Sequence, residues 1–123
     1  MADPNYILLY VDSPSVSEAF YTSLLGRGPV ESSPTFVLYV LPSGVKFGLW
    51  GWHTVEPATP GPVGGCELGF PVADRDAVKA LYADWGARGL RIAQAPCEMD
   101  FGFTFVALDP DGHRLRVLAL EMP

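Results

Sequence analysis

Two histidines, two cysteines and three tryptophans are the residues of this chain best equipped for chemistry. A cysteine acts as nucleophile or metal ligand only as thiolate, which needs a neighbouring base or cation. Cys66 and Cys97 are not spaced as Cys-x-x-Cys and have no His near them in sequence. They read as two reduced, largely buried thiols outside any active site. His53 follows Trp52 with no second His two or four positions on, and His113 directly follows Gly112, where its role is to finish a turn. Neither makes a ligand pair of the kind that holds zinc or iron.

The aromatic residues are the positive signal. Phe47, Trp50 and Trp52 cluster in one segment, and Phe101, Phe103 and Phe105 alternate in another. Strand side chains alternate between faces, so this spacing predicts all three phenylalanines on one face. Gly48 lies two residues from Trp50, on the same strand face, and its missing side chain leaves a slot beside the indole. A flat polycyclic ligand stacked there gains ~0.5–1.5 kcal/mol beyond simple burial. The competing reading is ordinary core packing of strand aromatics beneath helices.

The elements that must position these residues occur twice. Tyr6 to Val11 is an apolar run of strand length, followed by Ser13 as N-cap and Pro14 at the first helical position. Ser15 and Glu18 have capping-box spacing. Val16, Ala19, Phe20 and Leu24 then recur at helical spacing up to Gly26. Glu67 to Val72 is a second strand, Asp74 a second N-cap, and Val78, Leu81, Tyr82 and Trp85 a second stripe, ended by Gly86 and Gly89. Val11 and Val72, Ser13 and Asp74, Tyr21 and Tyr82, Gly28 and Gly89 are each 61 residues apart. Pro42 and Pro110, and Gly44 and Gly112, are 68 apart. Each of these pairs marks a turn between antiparallel strands, and the second half carries seven extra residues before it.

The expected architecture is therefore α+β, with two tandem β-α-β-β-β modules. Module one covers about residues 1–55, a Pro/Gly-rich linker 56–65, and module two about 66–123, together one domain. A half of this size hides one sheet face under its helix and has little to cover the other. Two halves side by side predict a curved mixed sheet of about eight strands with a concave ligand cleft.

Eight Lys and Arg against fourteen Asp and Glu give 8 − 14 = −6. An acidic chain without a basic cluster excludes nucleic acid as partner. With 49% hydrophobic and 18% charged residues the chain is globular rather than disordered. No apolar run reaches the ~18 residues of a membrane span, and the first residues lack a basic export signal, so the expected address is the cytoplasm.

Phe20-Tyr21 with Leu25-Gly26, and Asp109-Pro110-Asp111-Gly112, together with the paired modules, resemble the vicinal oxygen chelate superfamily. That group includes glyoxalase I, extradiol dioxygenases and bleomycin-binding proteins. Phe47 to Trp50, Phe101 to Phe105 and Asp109 to Val117 are most similar to its phenazine-antibiotic resistance branch. The resemblance implies a homodimer that sequesters a planar aromatic drug, with no catalytic residue and no cofactor. The alternative it leaves open is a metal-dependent enzyme of the glyoxalase or extradiol-dioxygenase type.

The superfamily's enzymes hold a divalent metal with His or Glu near the start of each half's first strand, and Glu near its last. Carried onto this chain, those positions are Tyr6, Gly48, Glu67 and Arg116. One carboxylate beside a permanent cation is a poor site for a divalent ion, so no metal is expected. The ligand-binding set becomes Tyr6, Gly48, Trp50, Glu67, Phe101, Phe103 and Arg116. Glu67 and Arg116 either pair with each other or serve the ligand, Arg116 gripping a carboxylate bidentately.

Overall fold

The computed structural model describes residues 4–58 and 66–121. The chain divides into two compact units, Met1–Pro62 and Val63–Pro123. The division falls in the expected linker, whose residues 59–65 lie outside the described residues.

Unit one runs β1 (Tyr6–Val11), α1 (Pro14–Leu25), β2 (Glu31–Ser32), β3 (Phe36–Val40) and β4 (Lys46–Gly51), then a short 3-10 turn at Trp52–Thr54. Unit two runs β5 (Glu67–Pro71), α2 (Arg75–Ala87), β6 (Arg91–Met99), β7 (Gly102–Leu108) and β8 (Arg114–Leu120). The strands hydrogen-bond as two four-stranded sheets, ordered β1-β4-β3-β2 and β5-β8-β7-β6. In each sheet the first strand pairs in parallel with the last, and the other pairs are antiparallel. The class is α+β, with the same β-α-β-β-β order in both units. No helix among the described residues is long and apolar enough to cross a membrane.

Local chemistry places the ends of these elements. The Ser13 side chain accepts from the Val16 amide, and Gly26 closes α1 in the left-handed conformation at φ 69°. Asp74 accepts from the Ala77 amide at 2.9 Å. Helix α2 continues through Gly86 to Ala87, and the left-handed residue after it is Gly89 at φ 85°. Glu18 does not complete a capping box, because its carboxylate accepts from Ser32 Oγ instead. The two hairpin turns are equivalent in their backbone bonds. Leu41 N–H donates to Val45 O at 2.8 Å and Asp109 N–H to His113 O at 3.0 Å, with Gly44 and Gly112 at φ 91° and 90°.

The buried face of α1 differs from the apolar stripe. Pro14, Ser17 and Tyr21 are buried, whereas Val16 is 56% exposed. Close approach decides this: a β-carbon on Gly51 would lie 3.4 Å from Pro14 Cγ, so small residues let the helix sit down on β4. Tyr21 then reaches Phe47 edge-on, with ring centroids 4.9 Å apart. In α2 the stripe points inward as expected, and Tyr82 and Trp85 both meet Phe105 edge-on at 5.4 and 5.5 Å. The extra residues of the second half lie in β6, nine residues long against two in β2.

Candidate functional site

Each sheet has one face under its own helix and one turned away from it. In unit one, Phe47 and Leu49 point to the helix and are buried, so Gly48 and Trp50 point away. The parallel register sets Leu8 beside Gly48 and Tyr10 beside Trp50 on that same face. Tyr6, Leu8 and Tyr10 follow one another along β1 at 47%, 41% and 41% exposure. The Trp50 indole is edge-on to Tyr10 and Phe36, at 6.4 and 6.3 Å. The face is aromatic through Trp50, Tyr10 and Phe36, whereas of the clustered residues Phe47 packs on Tyr21 of α1 and Trp52 lies in the 3-10 turn.

The slot expected at Gly48 is filled. A β-carbon there would meet Leu8 Cδ2 at 2.7 Å and Phe36 Cζ at 3.0 Å. The glycine makes room for neighbouring side chains rather than for open space, so a flat ligand on this face meets Leu8, Phe36 and Tyr10 together with Trp50.

In unit two the away face is polar. Arg116 Nε donates to Glu67 Oε1 at 2.9 Å and Nη2 to Oε2 at 3.1 Å. Nη1 donates to Gln94 Oε1 and Thr104 Oγ1, both at 3.3 Å, and lies 3.8 Å from Met99 Sδ. Arg114, opposite Glu67 in register, brings Nη1 to 3.9 Å from Oε2. The bond from Arg116 holds the Glu67 carboxyl below its ordinary range, and the same bond raises Arg116. The structure makes the internal pair, with the bidentate grip of Arg116 on Glu67.

The three phenylalanines do not share a face. Phe103 is buried against α2, with Arg75 4.8 Å and Lys79 5.8 Å from its ring centroid. Phe105 packs on the same side. Phe101 sits instead 5.8 Å from the Arg116 guanidinium. It belongs to the turn before β7, and Gly102 at φ 146° breaks the strand alternation between Phe101 and Phe103. Phe103 is thus a helix-packing residue. Gln94, Met99, Thr104 and Arg114 are the neighbours that sequence reasoning missed. For Thr104 a signal existed, since the period that turns Phe105 inward turns Thr104 outward.

The remaining candidates are engaged elsewhere. His53 Nε2 accepts from Trp52 Nε1 at 2.6 Å and lies 3.0 Å from Asp12 Oδ1. Cys66 is exposed and Cys97 half-exposed, contrary to the buried thiols expected; one flanks β5 and the other lies on the edge strand β6. Ligand atoms of Asp109, Asp111 and His113 fall within 4.8 Å of one another. Asp109 Oδ1, however, accepts from the amides of Asp111 at 2.9 Å and His113 at 2.8 Å, so the group builds the turn.

The residues match the sequence profile of the Glyoxalase/Bleomycin resistance protein/Dioxygenase superfamily over residues 4–117, and the chain belongs to that superfamily. It is 29% identical over 121 residues to the phenazine antibiotic resistance protein EhpR of Enterobacter agglomerans, covering 96% of this chain and 92% of that one. It is 51% identical to protein ATC0852 of Agrobacterium tumefaciens, whose solution NMR structure superposes with a TM-score of 0.91 over 99% of this chain and 100% of that one. A glyoxalase-related enzyme from Fulvimarina pelagi, 21% identical, shares the fold at a TM-score of 0.83 over 97% of this chain and 88% of that one.

A divalent metal is the group this family implies. The two units match in register: Leu8–Gly48 in unit one answers Gly69–Arg116 in unit two, with Tyr6 and Glu67 each two residues earlier on the first strand. Tyr6 and Gly48 supply no strong ligand, and both oxygens of Glu67 are held by Arg116. These residues do not fit a divalent ion.

Proposed function

We propose that this protein binds a planar aromatic antibiotic of the phenazine or bleomycin type and protects by sequestration, with no bond made or broken. The observation that carries the reading is the bidentate Glu67–Arg116 pair, at positions that the superfamily resemblance assigns to metal ligands. An arginine at that place turns a Lewis-acid position into a polar binding face. The resistance role of EhpR supports the same reading. The face of unit one offers Trp50, Tyr10, Tyr6 and Leu8 for stacking; that of unit two offers Arg116, Glu67, Gln94 and Phe101 for a polar edge and a ring.

The reading includes a homodimer in the cytoplasm. The exposed row Tyr6, Leu8 and Tyr10 is apolar surface of the kind a ligand or a second copy covers. Native mass spectrometry of the purified protein, alone and with phenazine-1-carboxamide or phenazine-1-carboxylate, tests both parts. A dimer taking up two ligand masses, with the ligand recovered unchanged, is the expected result. Uptake of neither compound, or conversion of either, sinks sequestration; a monomer at micromolar concentration sinks the dimer.

A further inference from the structure

An arginine can grip a carboxylate through either of two forks, Nε with Nη2 or Nη1 with Nη2. In Arg116 the first is given to Glu67. Glu67 therefore occupies one of the two places for an anionic ligand edge, and its charge borders the other. Among the described residues the hydrogen-bond contacts of the other nitrogen, Nη1, are to neutral groups: the Gln94 carbonyl and the Thr104 hydroxyl at 3.3 Å, and the Met99 sulfur at 3.8 Å. These are long contacts that an incoming carbonyl oxygen replaces without disturbing the ion pair. Phe101, 5.8 Å from the guanidinium, supplies an apolar surface next to it.

Resting on the binding function proposed above, we infer that Glu67 is a charge filter, selecting ligands whose polar edge is neutral and carries a donor beside an acceptor, such as a primary carboxamide. An amide carbonyl accepts from Nη1, and its NH2 donates to a remaining lone pair of Glu67. A carboxylate has acceptors alone. It must either face the Glu67 charge, which Arg114 3.9 Å from Oε2 offsets only in part, or evict Glu67 from Arg116, and both cost affinity. Glu67 is a specificity-determining residue in this scheme, and Arg116 is the group it regulates.

The test is isothermal titration of phenazine-1-carboxamide and phenazine-1-carboxylate into the wild type and Glu67→Gln, with circular dichroism as the check on folding. The wild type is expected to bind the carboxamide at least about tenfold more tightly, and Glu67→Gln to abolish or invert that preference by improving the carboxylate. Glu67→Ala, which removes the carboxylate without replacing it, is expected to move the ratio in the same direction. A merely structural Glu67 predicts equal losses for both ligands. An unchanged ratio in both variants, or a wild type preferring the carboxylate, overturns the filter while leaving sequestration intact. A wild type that binds neither overturns the filter and the function together.

Discussion

Leu8 Cδ2 lies 2.7 Å from where a β-carbon on Gly48 would stand. The two residues are register partners in the parallel β1–β4 pair, and the leucine uses the space the glycine leaves. Gly48→Ala must push aside Leu8 and the Phe36 ring, both flexible at their ends. The expected loss is about 1 kcal/mol, read from the urea midpoint. Because Phe36 abuts Trp50, tryptophan emission should shift as well; unchanged emission would mean the three side chains are not packed as a unit.

Gly102→Ala should be much worse. Its β-carbon would fall 2.1 Å from the Ala119 carbonyl oxygen, and its φ of 146° is one L-residues rarely adopt. Backbone cannot give way as Leu8 can. A loss of about 3 kcal/mol or more is expected, with Gly102→Ala unfolding at clearly lower urea than Gly48→Ala. Equal midpoints for the two would contradict the backbone contact.

Asp109 is buried and accepts from two turn amides. Asp109→Ala leaves both donors without that acceptor, for an expected loss of about 2–3 kcal/mol. Asp109→Asn keeps one acceptor oxygen and should recover roughly half of this in the same denaturation assay.

Acid should weaken unit two through its carboxylates. The Arg116 bond lowers Glu67 and the Arg75 bond lowers Glu121, each from an ordinary 4.5. A carboxyl with a lower pKa folded than unfolded contributes stability above its unfolded value and loses it as pH falls through the folded one. The urea midpoint should therefore begin to drop near 4.5 and keep dropping below it. Glu67→Gln should flatten that drop; an identical profile in the variant would remove Glu67 from the account.

Trp50→Ala should abolish ligand-induced tryptophan quenching while the fold is retained, and weaken binding by about 0.5–1.5 kcal/mol beyond lost burial. Arg116→Leu should weaken carboxamide binding by about 2 kcal/mol or more, since it removes the Nη1 donor to the ligand carbonyl. Full quenching in Trp50→Ala would detach the indole from the ligand.

Much of this was legible from the chain because it is local. Ser13 and Asp74 as caps, Gly44 and Gly112 as turn residues, and the offsets of 61 and 68 between the halves all rest on backbone preferences of a few neighbouring residues. The equivalence of Tyr6 with Glu67 and of Gly48 with Arg116 was legible too, since it follows from the same two offsets. What only the folded structure decided is how those positions are filled by side chains from other strands. Sequence spacing cannot tell that Leu8 closes over Gly48, because the two meet through a parallel pairing 40 residues long-range. Nor can it tell that Phe101 leaves the face of Phe103, because one glycine at φ 146° reverses the alternation. The choice of Glu67 as the partner of Arg116 belongs to the same class: residue types name the possible bonds, and the packing of β5 against β8 selects one.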